Sequence, residues 1–106
     1  MKKKQLYKDS KGVIYQIGDI VLNPCIMDYW VVQKCTKKDK EQYGLTTDIC
    51  LALNNDKDDY VIDIDEPAGF EIIVRCNDDN YKEAIDGLNH IAEMRKKLYE
   101  GKDESI

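Results

Sequence analysis

Apolar residues change their rhythm once along this chain: short runs from Leu6 to Arg75, then helical spacing from Asn80 onward. The opening stretch Leu6–Leu22 joins two apolar runs through Asp9-Ser10-Lys11-Gly12, and a second glycine, Gly18, directly precedes Asp19-Ile20-Val21-Leu22. Glycine admits the positive φ that a turn or kink needs, and the β-branched run after it favours extended backbone. The stretch therefore predicts the start of a small, sharply curved β-barrel. Asn23-Pro24 breaks this strand, because proline cannot donate to a ladder. Tyr29–Cys35 is the next predicted strand, with Trp30 and Val32 on one face.

The polar segment Thr36–Thr47, which contains Tyr43-Gly44, reads as a long loop. Beyond it, alternation places Ile49, Leu51 and Leu53 on one face of a strand over Asp48–Leu53. In Tyr60–Asp65 it places Tyr60, Ile62 and Ile64 inward, with Val61, Asp63 and Asp65 outward. Asn54–Asp59 between them is rich in residues that tolerate turn geometry and reads as a hairpin loop. Pro67-Ala68-Gly69 is another turn, and Phe70–Arg75 closes the β region.

From Asn80 the period becomes helical. Asn80 with Glu83 three residues on suits an N-cap, and Tyr81, Ala84, Ile85, Leu88, Ile91, Ala92 and Leu98 follow at helical spacing. Arg95-Lys96-Lys97 complements the helix dipole in the last turns, Gly101 is read as the stop, and Lys102–Ile106 as a frayed tail. Gly87 inside the helix costs about 1 kcal/mol relative to alanine. Together these elements predict one α+β domain over residues 1–106. It comprises a twisted β-barrel of SH3-like character over about residues 5–76 and one C-terminal amphipathic helix over about 80–100, which covers an open end or edge of the barrel.

Composition fits this picture. Charged residues make up 35% and apolar ones 42%, a balance that places the chain with folded domains rather than disordered segments. A chain of this length buries about two thirds of its unfolded surface without staples. No apolar run approaches the roughly 20 residues that cross a bilayer. The basic start Met1–Gln5 leads into no apolar signal core, so cytoplasmic residence is expected. The net charge of −5 is unevenly placed: Met1–Gly12 has five lysines and one aspartate, whereas Asn54–Glu66 has six acids and one lysine. That distribution disfavours direct nucleic-acid binding, where phosphate contacts dominate affinity.

Candidate chemistry is sparse. Cys25, Cys35, Cys50 and Cys76 form no C-x-x-C pair, and the single histidine, His90, lies far off in the predicted helix, so no metal site or cofactor is expected. Cys35 and Cys50, in or beside β-like runs, read as buried thiols that serve as small hydrophobes. Asn54, Asp56, Asp58 and Asp65 match positions 1, 3, 5 and 12 of a calcium loop, but Asp59 occupies position 6, where glycine is required. Asp63 and Asp65 share a strand face, as outward polar positions do in any half-buried sheet, and no nucleophile or phosphate-loop motif accompanies them. No catalytic residue is assigned. The candidates for partner contact are Asp56, Asp58, Asp59, Asp63 and Asp65, exposed around the hairpin tip and strand, and Tyr29, on the surface beside an inward Trp30.

Tyr7-Lys8-Asp9-Ser10-Lys11-Gly12, then Ile14-Tyr15 and Gly18-Asp19-Ile20-Val21, resembles the start of YopX-type proteins of phages and prophages. The likeness covers about the first fifth of the chain. Ile17 is an extra residue before the second glycine, and the family's later glycine-asparagine-isoleucine-tyrosine ending is missing. The resemblance implies a small β-rich barrel and carries over no functional residue. The resulting expectation is a non-enzymatic binding or accessory module with a protein partner, encoded by a phage or other mobile element. The alternative is an acidic inhibitor of a host nucleic-acid-handling machine, of anti-CRISPR or anti-restriction type, whose Asp56–Glu66 face mimics phosphate spacing. A carboxylate-based enzyme is the third reading.

Overall fold

The computed structural model of the chain describes residues 6–104, with side chains through Leu98. Of the lysine-rich start, Lys8 and Lys11 lie within the described residues and Lys2, Lys3 and Lys4 lie outside them. Five strands, β1 (Ile20–Asn23), β2 (Asp28–Lys34), β3 (Ile49–Leu53), β4 (Val61–Asp63) and β5 (Glu71–Val74), form one antiparallel sheet in the order β4-β3-β2-β1-β5. Two helices, α1 (Lys37–Tyr43) and α2 (Tyr81–Glu104), complete an α+β fold.

The sheet does not close into a barrel, which corrects the sequence expectation. β4 and β5 remain its two edges. The chain between them turns back over the sheet instead of pairing them, and Ile64 and Phe70 from that crossing join the core with Tyr15, Val21, Trp30, Val32 and Leu51. The Trp30 and Phe70 rings lie 6.0 Å apart. Trp30 and Val32 share this face as their spacing requires.

On the opposite face Ile20 and Val31 pack with Leu88 of α2, flanked by Tyr29, Val74, Tyr81, Ala84 and Ile85. The C-terminal helix therefore covers a broad sheet face rather than a barrel end or edge. A register shift makes this packing possible: Ile20 pairs with Val74 but Val21 pairs with Ile72, so Ile73 is an extra residue in β5. The bulge sends Ile72 to one face and Val74 to the other, although alternation alone would put them together. Gly18, at φ +99°, lies where the start of α2 meets the sheet; a Cβ there would be 3.0 Å from Cys76 Cβ and 3.2 Å from the Tyr81 hydroxyl.

Buried carboxylates fasten the loops. Asp9 accepts the amides of Lys11 (3.0 Å) and Val13 (2.8 Å) within its own turn, and the amide of Ile72 (2.9 Å) in β5. Asp19, fully shielded from solvent, accepts from the Gln16 amide at 2.8 Å, from Arg75 Nε at 3.2 Å and from the Cys76 amide at 3.2 Å. Each carboxylate thereby ties the N-terminal hairpin to the distant end of the β region.

Four segments depart from the expectation. Thr36–Thr47 is not all loop, because it contains α1. Thr36 and Asp39 form a reciprocal capping box, and Gly44 ends the helix at φ +68° in the left-handed region. Asp63 does not point to solvent: it is buried and accepts from the Thr46 amide (2.8 Å), the Thr47 amide (3.2 Å) and both threonine hydroxyls (2.9 and 3.0 Å). The loop after α1 covers that part of the sheet, so a position that alternation marks as outward lies beneath another segment. Tyr60 is exposed rather than inward, edge-on to Trp30 at 6.0 Å. At the C-terminus α2 passes through Gly101 to Glu104, and the last two residues lie outside the described ones.

Candidate functional site

The acidic hairpin between β3 and β4 is where sequence alone looks for a partner surface. Its turn is set by left-handed backbone at Asn54 (φ 51°) and Asn55 (φ 62°), which asparagine tolerates better than most residues. Asp56 accepts the Asp58 amide at 3.0 Å, and its other oxygen lies 3.5 Å from Lys96 Nζ. Asp59 accepts from Arg95 Nε at 2.8 Å, and Asp58 from the Tyr43 hydroxyl at 3.1 Å. Lys57 reaches the opposite way, to the Lys34 carbonyl at 2.8 Å and to the Asp39 carboxylate. Asn55 Nδ2 donates to Asn89 Oδ1 at 3.0 Å. The hairpin thus clasps both helices, and the shallow cleft of about 230 Å³ between it and α2 faces Asp56, Asp58 and Asp59 against Arg95 and Lys96. Charges arranged this way neutralise one another instead of projecting a field.

The other predicted contact residues separate. Asp63 is a buried clamp, Asp65 is exposed just past β4, and Tyr29 is half-buried under α2. The structure brings together Asp56, Asp58 and Asp59 and disperses Asp63, Asp65 and Tyr29.

The protonation energetics of these groups are those of structural ties. Burial alone would raise Asp63 and Asp9, but hydrogen bonds outweigh it and hold both carboxyls below the ordinary value: Thr46 and Thr47 for Asp63, the amides of Ile72, Val13 and Lys11 for Asp9. Asp39 is held down to about 2 by Lys57 and then by the Thr36 amide. Catalytic general acids need the reverse displacement. Cys35 and Cys50 are buried together with Leu45, and burial pushes the Cys50 thiol up to about 12, with its Cys35 hydrogen bond adding to the effect. Such thiols are poor nucleophiles. Cys25 and Cys76 are exposed. Among the described residues no group of three or more His, Cys, Asp or Glu side chains is placed to hold a metal ion. No helix among them is long and apolar enough to cross a membrane.

A second concavity has the opposite character. Ile20, Tyr29, Ile73, Val74, Ala84, Gly87, Leu88 and Ile91 line an apolar groove of about 250 Å³ between α2 and the β5 side of the sheet. Ile73 (41% exposed) and Ile91 (42%) stand at its mouth, and Met94 (48%) and Leu98 (65%) continue along the helix. β5, on its rim, is an edge strand of the sheet, with its Ile72 amide held by Asp9. Sequence reasoning merged Ile91 and Leu98 with the buried helix stripe. The available signal was the spacing Ala84-Gly87-Ile91-Met94-Leu98, a second apolar row beside the first.

A scan of protein-family models finds no match to the chain, and searches of curated proteins and of solved structures find none either.

Proposed function

We propose that this chain is a non-enzymatic protein-binding or accessory module whose contact face is the apolar side formed by α2 and β5. The observation that carries the reading is the groove between Ile73 and Ile91, continued by exposed Met94 and Leu98 beside an edge strand. Contiguous exposed apolar surface beside a sheet edge is the chemistry of protein association. The carboxylates that could serve catalysis are instead engaged with backbone amides and cations. SH3-like character and a phage or mobile-element origin belong to the same proposal. They lean on the small five-stranded antiparallel sheet and on the likeness of Tyr7–Val21 to YopX-type openings. Phosphate mimicry has less support, because Asp56 and Asp59 face Lys96 and Arg95.

Affinity capture with three forms of the full chain tests the reading. Capture of a defined protein by wild type and by Asp56→Asn/Asp58→Asn/Asp59→Asn, with loss in Ile73→Asp, is the expected outcome. Loss in the triple variant with retention in Ile73→Asp would return the contact surface to the acidic hairpin.

A further inference from the structure

Resting on that reading of the contact face, we infer that its occupant is a second copy of this chain, bound through antiparallel pairing of two α2 helices. Ala84, Gly87, Ile91, Met94 and Leu98 repeat at intervals of three and four residues. At about 100° per residue they fall within an arc of about 80°, beside the inward row of Tyr81, Ile85, Leu88 and Ala92. The inward row meets the chain's own sheet, and Ala84, at the border of the two rows, also touches it while remaining partly exposed. The second row has the spacing of a coiled-coil seam, with Ala84, Ile91 and Leu98 at one core position and Gly87 and Met94 at the other.

Shape complementarity selects the direction. In an antiparallel pair, Ala84 faces the partner's Met94 and Gly87 faces the partner's Ile91, so the layers from Ala84 to Met94 set a small residue against a large one, while Leu98 lies level with the residue before the partner's helix. A parallel pair would stack Gly87 on glycine and Met94 on methionine, leaving a void at one level and crowding at another. Gly87 opens onto free space in the monomer, where a Cβ would meet nothing within 4 Å. The gap it leaves in the helix surface fits the partner's Ile91.

Charge selects the same direction. The seam is flanked on its open side by Glu83, His90 and Lys97, one heptad apart. Antiparallel pairing sets Glu83 against the partner's Lys97, and Lys97 against the partner's Glu83. Parallel pairing would set Glu83 against the partner's Leu88. The seam's other flank is covered by the sheet, where Leu88 is buried. Only a few layers are available, so the dimer is a reversible one that forms over the micromolar range.

Sedimentation velocity of the full chain across that range tests the inference. Wild type should pass from monomer to dimer as concentration rises. Glu83→Lys and Lys97→Glu should each stay monomeric where wild type is mostly dimeric, and an equimolar mixture of the two should recover dimer mass. Gly87→Leu should raise the thermal midpoint of the dilute monomer, because its side chain enters open space on a helix, while abolishing dimer. Wild type that is monomeric throughout, or single charge variants that dimerise as well as wild type, would overturn the inference. If the chain stays monomeric while capture of another protein remains sensitive to Ile73→Asp, the self-pairing fails and the contact face stands.

Discussion

Arg95 reaches from α2 to the β3–β4 hairpin and donates through Nε to the Asp59 carboxylate at 2.8 Å. With Lys96 near Asp56 and Tyr43 on Asp58, this contact makes the most acidic segment of the chain an internal fastening between two helices. The hairpin is therefore not interchangeable loop. Replacing Asp56, Asp58 and Asp59 together by asparagine should cost about 1–2 kcal/mol, because half-exposed ion pairs are individually weak and only their sum is measurable. Urea melts at low and high salt check this: the deficit should shrink when salt screens the wild-type pairs.

Asp19 is a stronger case. Its carboxylate is fully buried, and alanine there leaves the Gln16 and Cys76 amides and the Arg75 guanidinium without their acceptor. Asp19→Ala should cost about 3 kcal/mol, whereas Asp65→Asn on the surface should stay within about 0.5 kcal/mol. Equilibrium unfolding of the two variants beside wild type measures the contrast.

Acid should act through the same kind of group. Asp9, Asp39 and Asp63 have folded-state pKa values below the ordinary 3.8, with Asp39 at about 2. Their stabilisation is complete above the unfolded value and is lost as pH falls through the folded ones. Thermal midpoints should thus begin to drop below about pH 4 and continue down to about pH 2. Asp63→Asn should lower the midpoint at neutral pH and flatten this acid limb. A limb as steep as that of wild type would show that the Thr46–Thr47 clamp contributes nothing.

The two rows on α2 predict opposite responses to the same substitution. Leu88 is buried against Ile20 and Val31, so Leu88→Ala should cost about 2–5 kcal/mol. Ile91 is one of the exposed row, so Ile91→Ala should change the stability of the dilute monomer by less than about 0.5 kcal/mol. Chemical denaturation at low protein concentration separates them.

Much of this fold is legible in the residues, and the exceptions have physical reasons. The strand around Trp30 and Val32, the turns at Asp9–Gly12 and Asn54–Asp59, and a helix beginning at Tyr81 all follow from local alternation, turn chemistry and helical period. Helix α1 offers no apolar period, since Lys37–Gln42 is polar throughout; its marks are the Thr36–Asp39 box and Gly44. Asp63 is misread because burial there depends on a loop that passes over the sheet. The bulge at Ile73 and the open edge between β4 and β5 arise from pairing between distant segments. The exposed apolar row of α2 is not distinguished in sequence because two apolar rows on one helix read as a single wide stripe.

The proposed contact through the apolar side of α2 and β5, rather than through the acidic hairpin, has a direct readout. Methyl NMR of the full chain, recorded as its concentration is raised and with backbone amides followed in parallel, tests it most directly. Methyl signals of Ile73, Ile91, Met94 and Leu98 should shift together while the amides of Asp56–Asp59 hold still. Shifts centred on those hairpin amides, with the α2 methyls unmoved, would contradict it.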